Sequence, residues 1–315
     1  MRRIFPICVF TAFLAPSAFG WGCEGHQVVA LIARAHLTPA VSAAVDDLLR
    51  GNPIDAALTR FCQDRPDDLM ADSSTWADDA KNQEKTAVWH YIDIPLSVRA
   101  VTSPDPWCPP IGPSVDGKNR PGCITDAIEY ELGILRNKSR LPADRATALR
   151  YVIHFVGDIH QPLHDEDNND QGGNCTAMRF FNEDRPANLH AIWDYKLIQH
   201  ELQNDKLTQV QYAAALNNRF AAKYSAIAGA KPDDPAAWAW EGHEIAVSNT
   251  YGNLDPAIPV SPPGATVACN SQRDKVTALH IVIGDAYFNK AMPAIDEQLA
   301  KGGFRLAVLL NDVIR

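Results

Sequence analysis

Nowhere in the chain are two cysteines separated by two residues. The spacing on which structural zinc–thiolate sites are built is therefore missing. There is no internal repeat, low-complexity tract or linker-like stretch, which argues against a solenoid or a string of small modules. The apolar run from Ile4 to Leu14 is too short to span a bilayer as a helix. Positive charge is in deficit: 29 Lys and Arg face 38 Asp and Glu, for a net charge of −9. Such a chain is a poor match for non-specific duplex binding through a basic surface. Bound divalent cations would reverse that sign locally, because they are often the largest charges in a site.

What is present begins with a leader. Arg2 and Arg3 precede the apolar run, and Ala18-Phe19-Gly20 puts small residues at both positions that specify cleavage. This is the three-part pattern of a secretory signal. Cleavage after Gly20 would leave residues 21–315 as one domain that is periplasmic or secreted, with no membrane anchor. Its new end would be Trp21-Gly22-Cys23-Glu24-Gly25-His26. A free amine and the carbonyl of the same residue can chelate one metal ion, and His26 could complete that site. Loss of Cys8 with the leader leaves six cysteines, an even number that suggests disulfides in an exported chain. Cys108 and Cys123 bracket a Pro- and Gly-rich loop and are the pair expected to join; the spacing does not pair the others.

Helical patterns dominate, so the expected fold is mostly α with a small extended or hairpin element. Ala30–Ala35 continues an apolar face, and Thr38-Pro39 reads as an N-cap and first turn of a helix stopping near Gly51. Further helices are expected at 124–137, 142–160, 188–202, 207–228, 235–249 and 271–300, with a short one at 303–313. Val88–Ile94 reads as extended, 95–122 as a long loop, and Gly172-Gly173-Asn174 as a turn leading into a strand or hairpin arm over Cys175–Phe181.

Within those helices the spacing of His and Asp points to chemistry. His154 and Asp158 are four apart, as are His190 and Asp194, so each pair projects from one helix face. His164 follows just beyond the first pair. Asp78 and His90 add another carboxylate and imidazole. Nitrogen and oxygen donors without thiolate suit zinc, and sites that keep an open position are the catalytic kind.

The motifs Trp76-Ala77-Asp78, Trp89-His90-Tyr91-Ile92-Asp93, His154 through His164, Gly172-Gly173-Asn174 and Asn188 through Asp194, together with Trp21, resemble one family. It is the trinuclear-zinc, single-strand-specific nuclease and 3′-nucleotidase family of fungi, plants and bacteria. That family shares its helical fold with zinc-dependent phospholipase C. The resemblance runs from Trp21 nearly to the C-terminus.

Carried over position by position, the resemblance implies three Zn²⁺. One would lie among Asp78, His90, His154 and Asp158. A second would be held by the amine and carbonyl of Trp21 with His26 and the bridging Asp158. The third would take His164, His190 and Asp194. A hydroxide between the first two ions would attack a phosphodiester in line, with Asp78 and Asp158 at the reacting centre, leaving 5′-phosphate ends. Where the family often carries Arg, this chain has Lys81, which keeps the charge but not the planar two-pronged contact to phosphate. Tyr91 would stack on an unpaired base, Asp93 would hydrogen-bond it, and Gly173 and Asn174 would form a second wall. The implied partners are single-stranded DNA, RNA and nucleotides, with the protein a monomer. The alternative is a phospholipase C, whose final motif typically ends in Glu where this chain has Asp194. His160 matches no ligand position and reads as structural.

Overall fold

A computed structural model describes residues 21–59, 61–62, 66–100, 107–108, 111–113, 119–224, 234–265 and 268–314. The expected leader, residues 1–20, lies outside the described residues. The architecture is mostly α. In chain order the helices are α1 (Cys23–Arg34), α2 (Pro39–Gly51), α3 (Leu69–Ser73), α4 (Trp76–Glu84), α5 (Ile124–Arg136) and α6 (Pro142–Asp158). They continue with α7 (Leu189–Ala191), α8 (Leu197–Asp205), α9 (Gln209–Tyr224), α10 (Pro235–Ile245), α11 (Cys269–Thr277) and α12 (Asp285–Val313). Two strand pairs complete it. β1 (Ile111–Pro113) runs antiparallel to β2 (Asn119–Arg120), and β3 (Arg179–Phe180) runs parallel to β4 (Val282–Ile283). No helix among the described residues is long and apolar enough to cross a membrane.

Local sequence explains much of this. Thr38 Oγ1 accepts the Val41 N–H at 3.3 Å ahead of Pro39, so α2 starts where its capping pair predicts. From Ala146 onward α6 is buried on nearly every side, as expected of a central helix without a solvent stripe. It packs against α5, α12, α1 and α4. The most extensive helix pair is α1 with α12. Three disulfides tie the periphery: Cys23–Cys62, Cys108–Cys123 and Cys175–Cys269. The second is the expected bracket of the long loop.

Several expected boundaries move. The break expected near Gly302-Gly303 does not occur, and α12 runs straight through it. A Cβ on Gly303 would stand 2.5 Å from Ile32 Cβ, and one on Gly302 would stand 3.3 Å from Val29 Cγ2. These glycines let α1 and α12 approach rather than end a helix. The helix expected over 271–300 is instead cut in two. His280 takes a left-handed φ of 52°, and Arg179 and Phe181 donate backbone hydrogen bonds to Ile281 and Ile283, drawing the chain into β4. The strand expected over Cys175–Phe181 shrinks to β3. Val88–Ile94 is not extended throughout: Ala87–His90 is a 3-10 turn, and extension begins at Tyr91. The helix expected over 188–202 is split by a wide, π-type turn at Ile192–Lys196, and a second such turn at Ala246–Thr250 follows α10.

The close α1–α12 contact gives a paired prediction. Gly303→Ala should lower unfolding free energy by about 1–3 kcal/mol through overpacking. Gly133→Ala, on an exposed α5 position with no atom within 4 Å of the new Cβ, should raise it by about 0.5–1 kcal/mol. Urea titrations of the two variants check the opposite signs.

Candidate metal centre and substrate cavity

Three imidazoles converge on one carboxylate at the C-terminal end of α6. Asp158 Oδ2 lies 2.9 Å from His90 Nδ1 and 3.1 Å from His154 Nε2, and Asp158 Oδ1 lies 3.2 Å from His26 Nε2. His154 and Asp158 come from α6, His26 from α1, His90 from the 3-10 turn, and Asp78 from α4. Asp78 Oδ1 stands 3.9 Å from both His90 Nδ1 and His154 Nε2. His26 stacks on His154 at 4.0 Å between ring centroids. All five side chains are buried.

Backbone carbonyls fix the tautomers. A carbonyl accepts only from an N–H, so His154 Nδ1 donates to Ser74 O at 2.7 Å, with Nε2 facing His90 and Asp158. His164 Nδ1 donates to His90 O at 2.5 Å, and His190 Nδ1 donates to Gly172 O at 2.6 Å. In each case Nε2 is the nitrogen left for a ligand role. This is the arrangement that orients metal-binding imidazoles in proteins.

The second group, His164, His190 and Asp194, is formed from the 3-10 turn after α6 and the α7 segment, with His190 Nε2 3.3 Å from Asp194 Oδ2. The wide turn at Ile192–Lys196 carries Asp194 without breaking the chain direction. Such turns are frequent at functional sites. Gln161, buried between the two groups, donates to Asp194 Oδ1 and accepts the Leu163 N–H at 2.7 Å.

Electrostatics favour a cation here. Burial pushes the Asp194 carboxyl well above the ordinary carboxylate range. Burial lowers His26 to about 4, aided by the neighbouring His154. Burial opposes a charged His154 too, but Asp158 and Asp78 outweigh it and raise its pKa. Asp158 is held well below the usual range despite burial, chiefly by His154. Among the described residues, Asp78 Oδ2 and His26 Nδ1 are buried with no hydrogen-bond partner. Convergent, orphaned nitrogen and oxygen donors fit divalent cations. The donor atoms of His26, His154 and Asp158, of Asp78, His90 and His154, and of His164, His190 and Asp194 each lie within 4.8 Å of one another.

The remaining expected residues fall around these groups. Trp21 is fully buried, and the Gly22 N–H beside it donates to Asp194 O at 2.8 Å, holding this end of α1 against the second group. Lys81 is not on a solvated helix face: it is 4% exposed and donates to Asp78 Oδ1 at 3.2 Å. His160 donates to Val156 O at 2.7 Å and meets Arg305 at 2.9 Å, away from a ligand role. A cavity of about 350 Å³ opens beside His164 and His190, bordered by Tyr91, Asp93, Gly172 and Asn174. Gly173 is not part of its lining but carries the left-handed turn beneath it, with φ of 81°. Asp93 keeps an exposed face, yet packing and then the nearby Asp167 push its carboxyl up to about 7, a shift that solvent moderates.

Sequence reasoning missed four participants. Asp167 and Gln171 line the cavity, and Gln161 braces Asp194. Gly157 lets α6 meet α1, since a Cβ there would stand 2.6 Å from His26 Nδ1. The available signals were a Gln and a Gly that interrupt an otherwise apolar stretch between expected ligands.

A profile of the S1/P1 nuclease family matches residues 21–315. Endonuclease 2 of Arabidopsis thaliana is 29% identical over 98% of this chain and 95% of its own length. Nuclease S1 of Aspergillus oryzae is 29% identical over 99% and 98%, respectively. Nuclease P1 of Penicillium citrinum is 25% identical over 93% and 97%.

The shared position of Asp158 predicts unequal metal loss. Asp158→Asn should remove more bound metal per chain than His190→Ala, because the Asp158 oxygens lie within 3.2 Å of His26, His90 and His154, imidazoles drawn from two of the three donor groups. Inductively coupled plasma mass spectrometry of the two folded variants checks the difference; equal losses would contradict it.

Proposed function

The chain belongs to the S1/P1 nuclease family, and from that premise we propose that it is a zinc-dependent phosphodiesterase acting on single-stranded DNA and RNA. Its mostly helical architecture is the phospholipase C-like type of that family. The observation that carries the proposal is the convergence of three buried His/Asp donor groups, one of which contributes His164 and His190 to the lining of the cavity. Release of a 5′-phosphate end and hydrolysis of 3′-nucleotides are the expected activities. Because the match is to nucleases, the phosphodiester of nucleic acid replaces phospholipid as the substrate class.

Three Zn²⁺ would be held by Asp78, His90, His154 and Asp158; by Trp21, His26 and Asp158; and by His164, His190 and Asp194. When bound, zinc supplies Lewis acidity, a water ionised near neutral pH and stabilisation of a departing oxygen. The chain's own residues do the positioning. Asp158 and Asp78 fix the imidazoles around the reacting centre. Lys81, buried against Asp78, brings a cation toward a phosphate oxygen. Tyr91 offers a ring face to a base, Asp93 an acceptor or donor at its edge, and the Gly172–Asn174 turn an opposing wall.

A base enters a cavity of this kind only when it is out of a duplex stack, which gives a physical reason for single-strand preference. The leader pattern of residues 1–20, the three disulfides and the start of the family match at Trp21 support export with cleavage after Gly20. A free Trp21 amine would then be available as a ligand.

Hydrolysis of single-stranded DNA should be abolished by chelation and by His154→Ala. Protein bearing one extra residue before Trp21 should bind less zinc and lose at least about tenfold in rate. Activity that persists in chelator, or equal zinc content and rate with and without the extra residue, would contradict the proposal.

A further inference from the structure

The cavity beside His164 and His190 has an unusual charge: among the described residues none of its lining side chains is Lys or Arg, while Asp93 and Asp167 both border it. Asp167 is fixed in place. Its Oδ1 accepts the N–H groups of Asp170 and Gln171 at 2.9 Å each. Its backbone N–H donates to Ile94 O at 2.9 Å, and its own carbonyl accepts the Leu96 N–H at 3.1 Å. Those contacts tie it to the segment carrying Tyr91 and Asp93. Oδ1 thus anchors the side chain, and Oδ2 remains as an acceptor for a ligand.

An anchored carboxylate selects by donor count. An ionised carboxylate is acceptor-only and takes two parallel N–H bonds well. Guanine alone among the bases sets two donors side by side, N1–H and N2–H₂, on its pairing edge. Adenine and cytosine offer one exocyclic amino group next to an acceptor nitrogen. Uracil and thymine offer one N–H flanked by two carbonyls, which face carboxylates unfavourably. Bases out of a stack are read on this edge.

We infer that this cavity selects guanine and disfavours uracil and thymine, with Asp167 acting beside Asp93 as the specificity-determining residue. The inference deepens the nuclease reading and rests on that cavity receiving the base. Gln171, in a left-handed conformation with φ of 57°, lines the same cavity and adds an amide whose position is set by the Asp167 anchor.

The test compares kcat/KM for the dinucleotides GpG, ApA, CpC and UpU, with calorimetric binding of guanosine and uridine as a readout independent of hydrolysis. Zinc-loaded wild type should favour GpG over UpU, and guanosine over uridine, by about tenfold or more, the discrimination a good two-pronged base contact gives. Asp167→Asn keeps the Oδ1 acceptor for the turn but replaces Oδ2 with a donor, and should bring both ratios toward one. Asp93→Asn should also erode them. A wild-type ratio near one, or ratios unchanged in Asp167→Asn, overturns the inference. Guanosine bound in preference to uridine with no dinucleotide cut would instead sustain the cavity's selectivity while sinking the nuclease reading.

Discussion

The buried Asp158 carboxylate, shared by three imidazoles, constrains the rest of the structure. An ionised group with no exposure is costly unless its surroundings supply compensating charge and hydrogen bonds. Here His90, His154 and His26 stand 2.9, 3.1 and 3.2 Å from its oxygens. Bringing those rings together requires α1, α6 and the turn before Tyr91 to meet at one point. Gly157 permits the α1–α6 approach at His26, and Gly303 lets α12 press α1 from the other side at Ile32. The packing of the helices and the geometry of the donors are therefore one problem with one solution.

The turn that borders the cavity shows the same coupling at the level of backbone. Asn169, Gln171, Gly172 and Gly173 all take left-handed φ, of 58, 57, 57 and 81°. Two of these are not glycine, and such conformations persist only where neighbours over-determine them. The neighbours are Asp167 and Asp170, whose carboxylates accept N–H groups of the turn. The Gly172 carbonyl in turn accepts from His190 Nδ1. One strained turn thus both shapes the cavity and sets the tautomer of an imidazole. A Cβ at 172 would stand 2.5 Å from Leu163 O, so glycine is needed there for space as well as conformation.

Much of the site was legible in the sequence because helical periodicity converts spacing into direction. The pair His154 and Asp158 needed only the i, i+4 rule to share a face. His190 and Asp194 were paired by the same rule, yet they meet across a wide turn that no periodicity signals. The start of α2 followed from the Thr38 cap and Pro39 in the first turn. The break expected between 300 and 303 does not occur because Gly302-Gly303 serves a close helix contact, which only the partner helix reveals. Val88–Ile94 misled similarly: its β-branched composition is real, but His90 is held in a 3-10 turn by Trp89 N–H bonding to Thr86 and by its carbonyl receiving His164. Asp167 stayed hidden in an acidic run, where only tertiary contacts distinguish an anchored carboxylate from a solvated one.

The central claim is that these convergent donors hold metal ions around a shared Asp158. Anomalous diffraction at the zinc edge, from crystals of protein beginning at Trp21, tests it most directly. The account predicts three peaks, two of them flanking the Asp158 carboxylate and the third among His164, His190 and Asp194. Absence of peaks at Asp158 under zinc-replete conditions, or His90 and His154 turned away from it, would contradict the account.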